Sequence, residues 1–306
     1  MTYPRAHLID PVNDGTYHLH TRCVRRAWLC GVDPYSGRSY EHRKLWLEQR
    51  ILKLAEAFSI SVLSYAIMSN HFHVVARSRR QDPYQWSDEE VVERWDMASF
   101  SKNIKRRERE KAAALNDPQR LEVLRARLGD LSWFMRYINE PLARMANKED
   151  QCTGRFTESR FSSSALLDDR ATLSAMVYVD LNPVRAGITD SPTQAPHTSL
   201  KRRCDRPNNS EPLTALSIVN LSLQGYIDLV QWTFEYKPRS RSGGPPNDAP
   251  SKVPRIHPCI THDWQAQVQS NRNKYRAYGD PELLDEFARR CGQRWLKGYR
   301  PAAPLT

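Results

Sequence analysis

The feature that most constrains this chain is a pair of histidines, His71 and His73, inside an apolar run. The run SVLSYAIMSNHFHVVAR, at 61–77, is partly β-branched and ends at charged residues, a composition typical of a buried strand. Because side chains alternate along a strand, both imidazoles lie on one face and Phe72 lies on the other. We therefore predict a central strand over 61–77. The two imidazoles either begin an open metal site or form a hydrogen-bonded pair that fills space.

A second His-x-His pair, His18 and His20, lies in the stretch GTYHLHTRCVRRAWLCG. This stretch alternates well enough to predict a first strand. After it, YEHRKLWLEQRILKLAEAF has apolar residues near helical spacing and predicts an amphipathic helix. The order is strand, helix, strand, and at this point the two histidine pairs are rival metal sites.

Composition bounds the class of protein. With 306 residues and 40% hydrophobic content, the chain can build a core and fold alone. Its formal charge of +11 favours an anionic partner, nucleic acid before an acidic membrane surface. No apolar run approaches the roughly 20 residues that span a bilayer, and the N-terminus lacks the pattern of a secretory signal. We expect a cytoplasmic protein without a membrane partner.

The six cysteines form no CxxC pair, and in a cytoplasmic chain they are expected to be free thiols. One cluster, RIHPCITHDW, contains three potential metal ligands in His257, Cys259 and His262. It lacks a close fourth ligand and the paired spacing of a zinc site. A solvated loop is therefore the favoured interpretation.

The region from about 80 to 130 is polar and predicts helices. Ser87 is placed to cap one of them, and Asp117 followed by Pro118 is placed to begin another. Between them, KNIKRREREK predicts a basic helix that either lies on phosphates or forms a solvated face diluted by glutamates. The residues proposed for DNA contact there are Lys105, Arg106 and Arg107.

Three elements follow this region. LSWFMRYINEPLARMANKE predicts a core helix, and GRFTESRFSSSALL predicts a strand and turn in which Arg160 either contacts DNA or is structural. DDRATLSAMVYVDLNPVRAGI predicts a helix capped by Asp168 or Asp169. This helix should end near Asn182, because the residue before Pro183 disfavours helical geometry.

Tyr178 and Asn182 are four residues apart on that helix and cover the same patch of its surface. If the helix packs on the sheet beside His71 and His73, a phenol, a carboxamide and two imidazoles converge. Neutral ligands of this kind can hold Mg²⁺ or Mn²⁺ and leave its charge for a scissile phosphate. Tyr178 is then the nucleophile, and with an ordinary pKa of about 10 it needs a cation or a base to ionise.

Four motifs, GTYHLHTR, YAIMSNHFHVV, CTGRFTESRF and YVDLNPVRAG, resemble those of the REP-associated tyrosine transposases, which are HUH endonucleases with one catalytic tyrosine. The motifs occur in the expected order over about 15–80 and 130–190. The resemblance implies cleavage and rejoining of single-stranded hairpin DNA, a REP-like palindrome, through a 5′-phosphotyrosine and without ATP. It implies that His71, His73 and Asn182 bind the metal and that Tyr178 is the nucleophile.

The resemblance also favours one histidine pair over the other. The pair at 71–73 follows MSN, as it does in the family, whereas His18 falls where the family's first strand often carries a histidine that binds no metal. By the same comparison, Arg185 is expected to support the end of its helix rather than the substrate.

The resemblance implies an α+β fold, an antiparallel sheet flanked by helices and akin to RNA-recognition-motif folds. We expect a catalytic domain over 1–200, with a helical insertion at about 80–130, and a basic, mainly helical C-terminal extension over 201–306. The extension contains a Pro/Gly-rich basic linker, KPRSRSGGPPNDAPSKVPR.

The expected function is a metal-dependent DNA nickase and strand transferase, located in the bacterial cytoplasm with the nucleoid. Its partner is single-stranded hairpin DNA, and both a monomer and a homodimer remain open. The alternative is a hairpin-DNA-binding regulator or structural factor without catalysis. An RNA-binding module is disfavoured because its aromatic strand pattern is absent. A rolling-circle replication initiator matches the NPVRAG neighbourhood less well.

Overall fold

The structure is a computed structural model that describes residues 4–24, 30–32, 37–207, 211–235, 263–273, 275–294 and 296. The strands are β1 (Gly15–Arg22), β2 (Ile60–Ile67), β3 (His71–Ser78), β4 (Ser162–Leu166) and β5 (Ala277–Tyr278). The helices are α1 (His42–Ala57), α2 (Asp88–Ala98), α3 (Ile104–Leu115), α4 (Pro118–Leu128), α5 (Leu131–Glu149), α6 (Asp169–Asp180), α7 (Asn182–Arg185), α8 (Ser199–Asp205), α9 (Leu223–Glu235), α10 (Trp264–Ser270) and α11 (Pro281–Arg290).

These strands form one sheet in the order β2-β3-β1-β4-β5. All neighbouring strands are antiparallel except β4 and β5, which run parallel. In the central pair, His20 lies opposite His73 and Arg22 lies opposite His71. The chain is therefore an α+β protein with a mainly antiparallel sheet flanked by helices, which confirms the predicted fold class.

The prediction of one strand over 61–77 is wrong, because this run is a hairpin formed by β2 and β3. The N–H of Met68 donates to the carbonyl of His71 across the turn, over 2.8 Å. Seventeen extended residues would span about 56 Å, well beyond an ordinary strand. Ser69 and Asn70, residue types that favour turns, supply the break. The His-x-His pair consequently begins the second strand of the hairpin.

Helices cover both faces of the sheet and bury a core on each. On one face, Leu19 and Phe72 are fully buried in the core that also holds Phe134 of α5. On the opposite face, Val75 packs in a core with Val177 of α6. Because His18, His20, His71 and His73 alternate with the residues of the first core, all four histidines lie on the α6 side.

Helix caps follow the sequence closely. Ser87 accepts a hydrogen bond from the N–H of Glu90, and Asp117 accepts one from the N–H of Arg120. At α6 the capping residue is Asp168, which accepts from the N–H of Ala171. These side chains each satisfy a donor that the first turn of a helix leaves unpaired.

Two helices after residue 200, α9 and α10, pack directly on α6. Tyr226 of α9 and Trp264 of α10 are fully buried in the same core as Val177, and the indole of Trp264 donates to the hydroxyl of Thr233 over 2.9 Å. A domain boundary near residue 200 stays a prediction. The cluster of His257, Cys259 and His262 and the Pro/Gly-rich linker lie outside the described residues.

Later segments also pair with β2 and β4, the two end strands of the antiparallel part of the sheet. On β2, the N–H of Ile67 donates to the carbonyl of His197 over 3.2 Å, and the N–H of Thr214 donates to the carbonyl of Val62 over 2.9 Å. On β4, the outer neighbour is β5, only two residues long. Both sides of the sheet thus have backbone partners from the second half of the chain.

The cysteines and the length of the helices were also subjects of the sequence analysis, and both can be checked in the described residues. Their five cysteines, at 23, 30, 152, 204 and 291, are free thiols. Among the same residues, no helix has the length and apolar character needed to cross a bilayer.

Candidate active site

Three imidazoles meet on the α6 face of the sheet. The potential ligand nitrogens of His20, His71 and His73 all lie within 4.8 Å of one another. The ring centroid of His73 is 4.7 Å from that of His20 and 4.9 Å from that of His71. The antiparallel register produces this group, because it sets His20 of β1 opposite His73 of β3. Imidazole nitrogens at this spacing suit a divalent transition metal.

A second set of contacts holds two of these rings in place. Nε2 of His18 lies 2.9 Å from Nδ1 of His73 in a buried hydrogen bond. Nδ1 of His71 lies 2.5 Å from the side-chain oxygen of Asn70. With Nδ1 of each ring engaged in this way, Nε2 is the nitrogen that His71 and His73 would present to a metal.

Tyr178 lies beside the histidines on α6. Its ring centroid is 5.8 Å from that of His18 and 5.9 Å from that of His73. The side chain is largely buried, with 9% of the residue's surface exposed. The remaining exposure faces an open cavity of about 560 Å³, to which His71 and Asn182 also contribute.

The environment acts on the Tyr178 hydroxyl in two directions. Burial raises the pKa of Tyr178 above its ordinary value, whereas Arg185, Arg272 and the Asn182 amide lower it. The first effect is the larger, so the hydroxyl is protonated in the resting protein at neutral pH. The guanidinium carbon of Arg185 lies 5.5 Å from the Tyr178 ring centroid.

Asn182 follows the last turn of α6, and its amide nitrogen donates to the backbone carbonyl of Tyr178 over 2.9 Å. This bond ties the two residues together at the predicted spacing of four. It leaves the carboxamide oxygen as the atom that would bind a metal. The structure brings Tyr178, Asn182 and His71 to one cavity, and the ligand role of Asn182 stays a prediction.

The sequence interpretation missed His20. It treated the His18–His20 pair as a rival of the 71–73 pair, whereas the structure joins the pairs, with His20 in the cluster and His18 behind His73. The sequence carried only part of this signal. Each His-x-His places its two rings on one face of its own strand, but the two faces coincide only in a register such as the observed one, with His20 opposite His73. Arg185, expected only to support a helix end, lines the cavity.

The basic residues predicted to contact DNA lie elsewhere. On α3, Arg106 bonds Glu110 over 2.8 Å and Arg107 pairs with Asp96, while Lys105 is exposed. Arg160 is exposed in the segment before β4. None of the four lines the cavity at Tyr178, as far as the chain is described. Their contact with DNA stays a prediction.

Comparison with known proteins gives little. No protein-family model matches the chain, and no curated protein matches it. One solved structure, described as a REP-associated tyrosine transposase bound to a REP hairpin, is 12% identical, with a TM-score of 0.38, covering 68% of this chain and 88% of that chain. Such a distant likeness carries no argument for function, which depends on the geometry of the site.

Proposed function

We propose that the chain is a metal-dependent endonuclease and strand transferase that acts on single-stranded hairpin DNA. The observation that carries this proposal is the placement of Tyr178 against a cluster of three imidazoles at an open cavity. A tyrosine, a metal-ligating cluster and an accessible cavity are the parts of a phosphodiester-cleaving site with a covalent intermediate.

The donor set fits a divalent ion. His20, His71 and His73 would hold it, with the carboxamide oxygen of Asn182 as a further ligand. All four ligands are neutral, so the bound ion keeps its full charge, and it would act as a Lewis acid on the scissile phosphate. Mg²⁺ prefers oxygen ligands, whereas imidazole suits transition metals, so we propose Mn²⁺ before Mg²⁺.

Tyr178 performs the bond exchange in this proposal. Its hydroxyl loses a proton and its oxygen forms a bond to phosphorus, the bond from phosphorus to the 3′ oxygen breaks, and the departing oxygen takes up a proton, so that no net proton is released. The products are a 5′-phosphotyrosine and a free 3′-hydroxyl. The same hydroxyl can reverse the step, because the covalent link conserves the energy of the broken bond, and rejoining then needs no ATP.

A second candidate function is a regulator that binds hairpin DNA without cleaving it. The observation in its favour is the burial of Tyr178, which leaves 9% of the residue exposed and raises the pKa of its hydroxyl. A catalytic tyrosine must reach a phosphorus atom. This site therefore requires the strand to enter the cavity or Tyr178 to move outward.

The decisive experiment incubates the purified protein with Mn²⁺ and a panel of labelled single-stranded DNA hairpins. Denaturing gels should show a covalent adduct that a chelator abolishes. Tyr178→Phe should lose the adduct and retain hairpin binding, because only the nucleophilic oxygen is removed. Tyr84→Phe, at an exposed tyrosine, is the matched control.

Three other results would change the assignment. An adduct that persists in Tyr178→Phe would move the nucleophile to another residue. Cleavage that survives chelation would remove the role of the metal. Tight, structure-selective binding without an adduct under any metal would favour the regulator.

A further inference from the structure

Two arginines from distant parts of the chain face the cavity at Tyr178. Arg185 belongs to α7, directly after the helix that carries Tyr178, and Arg272 belongs to a short 3-10 helix, Asn271–Asn273. Both side chains line the cavity together with His71. The region after residue 200 therefore contributes a charged group to the wall of the candidate site.

The position of Arg272 is fixed by its neighbours. Trp264 and Val268 of α10 are fully buried against α6. Asn271, next to Arg272, is 3% exposed, and its amide nitrogen lies 3.4 Å from the hydroxyl of Ser174 on α6. The backbone at Arg272 is consequently packed against α6, the helix that carries Tyr178.

Neither guanidinium is neutralised in the described part of the chain. No carboxylate lies within salt-bridge distance of Arg185 or Arg272 among these residues, although many other arginines have such partners. The two groups act on each other as like charges. The cavity thus has unneutralised positive charge next to the nucleophile of the proposed reaction.

We propose that Arg185 and Arg272 form a phosphate-binding pair that holds a phosphodiester against Tyr178. Guanidinium groups bind phosphate oxygens through paired N–H donors, and an anion between them removes their mutual repulsion. The identification of this anion as the scissile phosphate rests on the proposed function. Binding of a phosphodiester by the pair does not require that the bond be cut.

The pair has a second effect if Tyr178 is the nucleophile. Positive charge beside the phosphate stabilises the negative charge that develops during transfer. Arg272 would then act on the reaction through contact with substrate, although it lies almost one hundred residues after Tyr178 in the sequence.

The test compares Arg272→Gln and Arg185→Gln with Arg289→Gln, which removes the same charge from an exposed position on α11. Binding of a single-stranded oligonucleotide is measured with a chelator present, and inorganic phosphate is used as a competitor. We expect each cavity variant to bind about 10-fold more weakly and to be less sensitive to phosphate. Arg289→Gln should stay within about twofold of the unchanged protein.

A second readout is the rate of adduct formation with Mn²⁺, which we expect to fall about 100-fold in Arg272→Gln. Arg272→Lys keeps the charge but loses the planar fork, and should recover part of both losses. Equal behaviour of Arg272→Gln and Arg289→Gln in both assays would overturn the proposal.

The two proposals fail in different ways. If the unchanged protein forms no adduct but Arg272→Gln still loses oligonucleotide binding, the phosphate pair stands and the nuclease does not. If the adduct forms and Arg272→Gln is unaffected in binding and rate, the nuclease stands and the pair does not.

Discussion

At the scale of single residues, the site depends on four histidines that face the same side of two paired strands. His20 and His73 lie opposite each other, and His18 bonds His73 from behind. Two rings are therefore placed by the register, and one of them is also oriented by a buried neighbour. The contribution of each ring to metal binding can be separated by substitution.

Removal of His20 should weaken metal binding about as much as removal of His71. Each ring belongs to the cluster of three, and loss of a ligand leaves an incomplete set. We expect His20→Ala to lower Mn²⁺ affinity at least about 10-fold, measured by isothermal titration calorimetry. His7→Ala, at a histidine outside the cluster, is the control. Unchanged affinity in His20→Ala would show that His20 is not a ligand.

Removal of His18 tests orientation rather than ligation. His18 contacts His73 through Nε2, and such outer contacts set the tautomer and angle of a ligating ring. His18→Ala should lower Mn²⁺ affinity by about 10- to 100-fold, while His18→Gln, which keeps a hydrogen-bonding group, should recover part of the loss. If both variants bind Mn²⁺ alike, His18 has no role in orientation.

The sequence was informative about the site where residues are close in the chain. The spacing of Tyr178 and Asn182 predicted their contact, and His-x-His predicted two rings on one face. His20 was missed because its partner is 53 residues away, and only the pairing of β1 with β3 brings them together. Arg272 could not be predicted, because no sequence pattern indicates that α10 and the residues after it pack on α6.

At the scale of elements, Asp180 connects α6 to three other elements. Its carboxylate accepts hydrogen bonds from the hydroxyl of Tyr226 at 2.6 Å, from the hydroxyl of Ser199 at 2.8 Å and from the N–H of Leu200 at 3.1 Å. Ser64 of β2 lies 3.4 Å away. The carboxylate is fully buried, so these bonds replace water around it.

Substitution of Asp180 should be costly. Asp180→Ala leaves several buried donors without an acceptor, and we expect a loss of about 3–5 kcal/mol in the free energy of unfolding. Urea denaturation followed by circular dichroism measures it. The control is Asp205→Ala, which removes an exposed carboxylate paired with Lys201 and should cost less than about 1 kcal/mol. Similar losses in the two variants would contradict the role of Asp180.

Glu48 of α1 should make stability depend on pH. Burial raises the pKa of Glu48, but hydrogen bonds from His197 and Tyr65, together with nearby positive charge, outweigh the effect of burial and hold this pKa below the ordinary value of 4.5. A lowered carboxylate pKa gives stability that is present above the ordinary value and is lost as pH falls through the folded value. In Glu48→Gln, the fall in unfolding free energy from pH 7 to pH 3 should be smaller than in the unchanged protein.

Urea titrations at several pH values give this comparison. Glu56→Gln, on the exposed side of the same helix, should keep the pH dependence of the unchanged protein. An identical slope in Glu48→Gln would show that other carboxylates produce the acid sensitivity.

The start of a helix was predictable from the sequence where a side chain close by in the chain caps it. Side chains at Ser87, Asp117 and Asp168 cap helices as their positions indicated. The turn at Met68–Asn70 was missed because the apolar runs on both sides of it are equally typical of a strand. Composition alone does not separate one long strand from two that pair with each other.

At the scale of the whole molecule, the net charge could be predicted from the sequence, whereas the packing of distant helices could not. The formal charge of +11 favours an anionic partner. Composition indicated this property, whereas it gave no sign that α9 and α10 would share a core with α6. This packing depends on contacts between segments that are far apart in the chain. Neither the periodicity of apolar residues nor helix-capping residues indicates such contacts.

Binding of single-stranded DNA should weaken steeply as salt increases, because each phosphate contact releases condensed counterions. We expect at least about a 10-fold loss of affinity between ~50 and ~200 mM salt, measured by fluorescence anisotropy. An analogue with the same bases on an uncharged backbone is the control, and its binding should change little. A flat response with DNA would count against phosphate contacts.

The covered sides of the sheet limit how copies of this protein can associate. His197 and Thr214 occupy backbone groups of β2, and β5 adds only two residues beyond β4. A long unpaired strand is a template for joining sheets between molecules, and short or covered strands prevent it. If two copies form a dimer, the interface is therefore expected to use helical surfaces. By occupying β2, the segments at His197 and Thr214 would also protect this strand from edge-to-edge aggregation.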